Sequence, residues 1–375
     1  MQFKDVVGQK DVIKHLVHIA QTGNIPHAQL FLEFPGSGGL ALALAFANYI
    51  MCENPQEEDA CGVCPSCQKN KKFIHPDLHF VYPVIRKKPE KPSLSSDYIK
   101  EWRDVIIENP YVSSYDWLQA IKAENKQGKI TADETRRIIQ TLQLKSFESK
   151  YKVLIIWQPE ALGIEGNILL KLIEEPTDDT IILLVSANLQ QILTTIVSRT
   201  QIVKINPIDD ESLFQELKTK FPNIGDTEIQ TAVNLSEGNF REAYSSLMST
   251  ENNLFNYFSE WIPTILKTQL PQMVSWVNET SGIGRENIKK LLDYTVHIIR
   301  QSTLQYFSEN QLPSKLNKQE LLFLEKYPFK IENTETFNAL VECIEKSNYQ
   351  IERNGNPKIV LLSLSLEIRQ LLKQK

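Results

Sequence analysis

The chain predicts an α/β domain built on a helix-covered parallel sheet, followed by helical domains. Three observations predict it. Short, continuous apolar runs alternate with helical patterns up to residue 205. A glycine-rich turn, "PGSGG" at 35–39, joins one such run to a helix-forming run. After Pro207 the strand signal fades, and the pattern is helical to the end.

Five runs read as strands: "AQLFLEF" (28–34), "DLHFVYPV" (77–84), "KVLIIW" (152–157), "TIILLVSA" (180–187) and "TQIVKI" (200–205). Continuous apolar runs of this length suit strands buried on both faces. The intervening segments "LALALAFANYIM", "ADETRRIIQTLQL" and "IEGNILLKLIEE" read as helices. In the last, Ile168, Leu169, Leu172 and Ile173 form one apolar stripe. Strand, helix, strand in repetition means a parallel sheet. Residues 85–129 break the rhythm and read as a surface insertion; their middle, "DYIKEWRDVIIENP", has an amphipathic helical pattern. Residues 208–250 read as two or three short helices, and the chain closes on "KIVLLSLSLEIRQLLK". The expected division is an α/β domain over 1–206, a small helical lid domain over 207–250 and a helical C-terminal domain over 251–375.

The 375 residues are 42% hydrophobic and 23% charged, with a net charge of −5. No apolar run reaches the ~20 residues of a membrane-spanning helix. The opening "MQFKDVVGQK" is charged from the start and has no signal-peptide core, so a cytoplasmic protein is expected. The acidic balance argues against a chain that traps nucleic acid by charge. The basic runs "QKNKKF" and "IRKKPEKP" read as solvated loops.

Four of the five cysteines, Cys52, Cys61, Cys64 and Cys67, fall in "CENPQEEDACGVCPSC". The spacing is C-x8-C-x2-C-x2-C, and four thiolates this close suit one tetrahedral zinc ion. Gly62, Pro65 and Ser66 supply the tight turns. An iron–sulfur cluster is a competing use, but the ferredoxin pattern needs a following Cys and Pro, and "QKNKK" stands there instead. Free thiols are the third reading. A four-cysteine zinc site leaves no open position, so the metal would be structural. Cys343 reads as a small hydrophobic residue.

"PGSGG" has the outline of a phosphate-binding loop and lacks its chemistry. Such loops cradle phosphates with backbone N–H groups and a helix N-terminus, and add a Lys and a Ser or Thr. Here Pro35, Gly36, Ser37 and Gly38 lead to Gly39 and Leu40, which offer neither charge nor hydroxyl. Glu33 holds the place of the leading glycine and would repel a triphosphate. The run "KVLIIW" ends in Trp157 and Gln158, where a metal-holding Asp and a catalytic Glu would be needed. Hydrolysis is therefore not expected. Two alternatives stay open: weak nucleotide binding by the bare backbone, and a simple turn between strand and helix.

The loop has ordered company. "VVGQKDVIKHL", "IPHAQLFLEFPGSGG", the cysteine knuckle, "HPDLH", "ITADETRRIIQTLQL", "YKVLIIWQPEAL", "NILLKLIEEP" and "TIVSRT" follow one another. Together they resemble the bacterial clamp-loader AAA+ family over residues 1–245. The resemblance implies an AAA+ P-loop-like fold with a helical collar over the C-terminal part. The missing ATPase residues make the chain similar to the family's members with a degraded nucleotide site. The implied partners are the clamp-loader ATPase (gamma/tau) and delta subunits, the sliding clamp and, through the assembly, primer–template DNA. The chain would be part of a DNA polymerase holoenzyme with no ATPase activity of its own.

The resemblance also assigns residues. Arg199, in "SRT", matches the arginine that reaches a neighbouring subunit's ATP and stabilises γ-phosphate charge; Thr200 replaces the family's usual Cys. The chemistry is sound, because a guanidinium is always charged and fits phosphate oxygens. Without the family, a surface Arg capping a helix C-terminus is the plainer reading. Asn188 matches a phosphate-sensing polar residue, and Arg241, in "EGNFREAYSSL", matches a nucleotide-contacting Arg of the helical domain. Glu174 and Glu175 end a helix that the family uses at subunit-facing and clamp-facing surfaces; a solvated helix end is the other reading. Two alternative functions are an ATP-hydrolysing gamma/tau-like subunit or other AAA+ ATPase, and a zinc-dependent nucleic-acid-binding module.

Overall fold

A computed structural model describes residues 1–86, 93–123, 126–248, 254–267, 270–307, 316, 318–329, 331, 333–353 and 355–373. The chain divides into two compact units. One contains Met1–Phe221 and Ser236–Tyr244, the other Pro222–Leu235 and Ser245–Lys375.

The first unit holds an all-parallel, five-stranded sheet: β1 (Ala28–Glu33), β2 (Leu78–Val81), β3 (Lys152–Trp157), β4 (Thr180–Ser186) and β5 (Gln201–Ile205). The strand order is β2-β3-β4-β1-β5. All five apolar runs are strands, and the helix-covered parallel sheet expected from them is the one observed. β3 and β4 are buried at every position. β5 is not: it is an edge strand with only Val203 and Ile205 buried. The second run is strand only as far as Val81, since Pro83 removes a ladder donor.

The helices of this unit are α1 (Lys10–Gln21), α2 (Gly39–Ile50), α3 (Pro65–Lys71), α4 (Ile99–Glu108), α5 (Ser114–Ala120), α6 (Ala132–Gln143), α7 (Leu170–Glu174), α8 (Thr194–Val197) and α9 (Asp210–Lys220). α2, "GLALALAFANYI", is apolar on every side and buried along almost its whole length, against β1, β3, β4 and α1. That burial fixes Gly39, its first residue, at the end of β1.

Two expectations need correction. Residues 85–129 are not simply a surface insertion. The α4 pattern holds, but its Trp102 and Ile106 point inward, and Trp102 stacks on Tyr82 of the sheet segment at 4.1 Å between centroids. Trp117 meets Trp102 edge-on at 5.2 Å and donates its indole N–H to the Pro83 carbonyl at 2.7 Å. Most of "IRKKPEKP", and Glu124 and Asn125, lie outside the described residues. The predicted helix over 164–175 is also largely different. A 3-10 run over Pro159–Leu169, broken at Gly163 (φ +50°), precedes the short α7. Gly163 and Gly166 weaken a regular helix. A Cβ on Gly166 would lie 3.0 Å from Ile196 and 3.1 Å from Leu193, so close packing here requires the missing side chain.

Two helices cross the division between the units: α10 (Asp226–Ser236) and α11 (Phe240–Met248). The second unit continues with α12 (Leu254–Leu266), α13 (Leu270–Thr280), α14 (Arg285–Phe307), α15 (Lys318–Lys326), α16 (Thr334–Glu352) and α17 (Pro357–Lys373). Its core includes Trp261 stacked on Trp276 at 4.7 Å, with the Trp261 indole donating to Ser365. Cys343 is buried in this core as a small apolar residue. Among the described residues, no helix is long and apolar enough to cross a membrane.

Candidate functional site

The glycine-rich loop sits at the C-terminal ends of the parallel strands. The chain leaves β1 there and crosses to β2 at the far edge, while β4 and β5 flank β1. Ligands of open α/β sheets bind at such a switch point. Gly36 (φ +70°) and Gly38 (φ +93°) take left-handed conformations. The loop is covered. A Cβ on Gly36 would lie 1.8 Å from Asn239 Oδ1, and one on Gly38 would lie 2.6 Å from the Tyr111 ring. Phe240 N–H donates to the Gly36 carbonyl at 3.1 Å, and the Tyr111 and Phe240 rings are 4.5 Å apart. Gln9 amide hydrogens reach the carbonyls of Ser37 and Asn206. Pro35 is exposed, Ser37 is buried, and Leu40 is packed into the core at 2% exposure.

Glu33 turns back onto the start of α2. Its Oε2 accepts the Gly39 N–H at 2.6 Å, so a carboxylate of the chain itself faces the N-terminus of α2. A buried anion is costly without a full cation partner. Burial, with the nearby Glu160 adding to it, pushes the Glu33 carboxyl up to about 7 from its ordinary 4.5, against the opposing pull of the Gly39 N–H. Native Glu33 keeps its proton up to that pH, whereas the unfolded chain releases it near 4.5. Stability therefore falls as pH rises through this window. The shift corresponds to about 3 kcal/mol, an upper figure because the residue keeps some solvent contact. We expect Glu33→Gln to retain the Gly39 contact and to lose less stability between pH 5 and pH 8 than the parent chain. Urea titrations at the two pH values measure the difference, and equal losses would refute the role.

The second half of the site holds no carboxylate at Trp157 or Gln158. The buried Trp157 packs 5.3 Å from Trp102, and the Gln158 amide donates to Ser114 Oγ. Glu160, which sequence reasoning missed, is brought close by the 3-10 turn after β3. It accepts the Ser186 hydroxyl at 2.9 Å, and burial pushes its carboxyl up. Asn188 serves locally: its N–H donates to Ser186 Oγ, and its side-chain oxygen accepts the Gln190 N–H at 3.2 Å. Arg241 makes a two-pronged pair with Asp116, through Nε to Oδ2 and through Nη2 to Oδ1 at 2.7 Å. Burial works against the Asp116 anion, but Arg241 and Ser113 hold its carboxyl below the usual range. Asp116 and Tyr111 were missed because they lie within the segment read as an insertion. Asn239 is two residues before Arg241 in "EGNFREAYSSL", and that proximity was the available signal.

Arg199 lies apart from the loop, just past α8. Its Nε donates to Glu174 Oε1, and its Nη1 donates to the Thr195 carbonyl at 3.1 Å and Ser198 Oγ at 3.3 Å. The Arg side chain is 36% exposed.

Cys52, Cys61, Cys64 and Cys67 converge, with their sulfurs all within 4.8 Å of one another. Cys52 and Cys61 sulfurs are 3.5 Å apart; Cys52–Cys64 and Cys61–Cys67 are each 4.0 Å. Zinc–sulfur bonds near 2.3 Å in a tetrahedron place sulfurs about 3.8 Å apart, so the donor set fits that ion. Backbone N–H groups of Cys61, Cys64 and Cys67 point at the sulfurs of Cys52, Cys61 and Cys64. N–H groups of Val63 and Cys64 pull the Cys61 thiol down to about 6, while burial pushes Cys52 and Cys67 up. The cluster could hold a metal such as zinc.

A family model described as "DNA polymerase III, delta subunit" matches residues 8–209, more than half of the chain. The DNA polymerase III subunit gamma of Buchnera aphidicola subsp. Acyrthosiphon pisum is 23% identical, over 95% of this chain and 90% of its own length. The DNA polymerase III subunit delta' of Pseudomonas aeruginosa is 25% identical, over 72% of this chain and 80% of its own. A solved gamma subunit-related protein of Thermotoga maritima has a TM-score of 0.40 at 16% identity, covering 97% of this chain and all of its own.

Proposed function

The chain belongs to the DNA polymerase III delta subunit family of clamp-loader AAA+ proteins, and on that premise we propose that it is the delta-prime subunit, which does not hydrolyse ATP. It assembles with the ATPase (gamma/tau) and delta subunits and offers Arg199 to the neighbouring subunit's nucleotide. It thereby helps place a sliding clamp on primed DNA in the bacterial cytoplasm. Residues 251–375 serve as its helical collar. One structural zinc sits among Cys52, Cys61, Cys64 and Cys67. Asn188 and Arg241 are remnants of a nucleotide site, now used to hold the local fold.

The observation that carries this reading is the Glu33 carboxylate on the Gly39 N–H. The N-terminal N–H of α2 is taken by the chain's own carboxyl, while Gly39, Leu40, Trp157 and Gln158 supply no cation, hydroxyl or carboxylate. A gamma-like ATPase is the second reading, favoured by the 95% coverage against a gamma subunit. ATP turnover by the pure protein with Mg²⁺ separates the two. We expect none, and none from Gly39→Lys with Leu40→Thr, because the new Lys would meet Glu33 and the metal ligand and base would still be missing. Restored turnover in that double variant, or turnover in the parent chain, would refute the non-hydrolysing role. Co-purification with the ATPase subunits tests the assembly itself.

A further inference from the structure

We propose that Glu174 is a positioning residue for Arg199, holding the guanidinium so that its Nη2 group is left to meet phosphate; this rests on the trans-acting role given to Arg199 above. Glu174 ends α7, and Arg199 follows α8, so two separate elements bring the pair together. Glu174 takes Nε, and the Thr195 carbonyl and Ser198 hydroxyl take Nη1. Among the described residues, Nη2 has no hydrogen-bond partner. Nη2, a charged donor suited to a phosphate oxygen, is thus the group left open.

The arrangement is anchored behind the pair. The Ile173 carbonyl, next to Glu174, pairs with the His27 ring at the base of β1 at 2.8 Å. Gly166 lets Leu193 and Ile196 pack closely, which sets the height of the α8 turn. Both side chains of the ion pair are more than a third exposed. Exposed pairs contribute little to stability, so folding is a poor reason for this contact. Orientation is a better one. An Arg side chain carries much rotamer freedom, and fixing it beforehand removes an ordering cost from the step in which it meets phosphate.

The test is ATP turnover in a clamp loader reconstituted with the ATPase subunits, carrying Glu174→Gln, Arg199→Ala or both. We expect Glu174→Gln to lower kcat by about two- to tenfold, with assembly, melting temperature and KM for ATP unchanged. Glu174→Gln added to Arg199→Ala should cost nothing further, since the residue acts through the Arg. Normal kcat in Glu174→Gln beside an impaired Arg199→Ala would overturn the positioning role alone. So would a double variant whose losses multiply. Normal turnover in Arg199→Ala would overturn both the finger and its positioning.

Discussion

In a reconstituted clamp loader, Arg199→Ala is expected to lower ATP turnover while the complex still assembles. An arginine finger contributes about 10³ or more in rate where it meets the γ-phosphate, which corresponds to about 4 kcal/mol of transition-state stabilisation. The nucleotide site beside this chain should lose that factor. Bulk turnover should fall by at least that site's share, and by more if the sites fire together. The fold should be indifferent. Arg199 is on the surface, and its ionic partner, Glu174, is similarly exposed; such a pair is worth about 0–1 kcal/mol. Arg199→Lys keeps the charge but loses the planar fork, and should fall between the parent and the alanine variant. Mutant complexes that assemble and turn over ATP at the parent rate would remove the proposed trans-acting role.

The sheet was legible because its inner strands are buried on both faces. "KVLIIW" and "TIILLVS" are too short for a helix and carry no 3.6-residue periodicity, and every residue in them is buried. The edge strand β5 was found through hydrophobic bulk alone, and its burial was overestimated because edge position is a property of strand order. The cysteine cluster was legible because its members are close in sequence. The cover of the loop was not. Tyr111 reaches Val7 N–H, 104 residues away, and Arg241 reaches Asp116, 125 residues away. Nothing local to "YVSSYDW" signals either contact. Glu33 was visible as a misfit in a phosphate loop. That its carboxylate turns back onto Gly39 depends on the helix N-terminus being presented to it, which is a three-dimensional fact. The helix over 164–175 failed because its apolar stripe is real but Gly163 breaks the run with a φ of +50° and Gly166 serves close packing instead of helix continuity.

Cys67→Ser is expected to release the proposed zinc and to produce the largest loss of stability among the substitutions considered. Structural zinc contributes roughly 10–16 kcal/mol of apparent binding energy in small zinc-dependent peptides, comparable to the whole stability of an ordinary domain. Here the sheet has a core of its own, so the damage should concentrate on the knuckle and what it holds. The knuckle is tied to the chain's start: the Gln2 amide donates to the Ala60 carbonyl, and Phe3 N–H donates to Asp59 at 2.9 Å. It is also tied to the end of α2, where Ser66 Oγ donates to the Met51 carbonyl at 2.7 Å. Without the ion, four sulfurs this close lose their reason to converge. Burial then favours protonated thiols at Cys52 and Cys67, which cannot both serve as ligands and remain neutral. For the same reason metal retention should weaken as pH falls, since each ligand must lose its proton to bind. Elemental analysis should find near one zinc per parent chain and far less in Cys67→Ser. Limited proteolysis should open residues 52–67 in the variant before the sheet. Iron with visible absorbance in the parent chain, or a variant that keeps both its zinc and its melting temperature, would refute the structural zinc site.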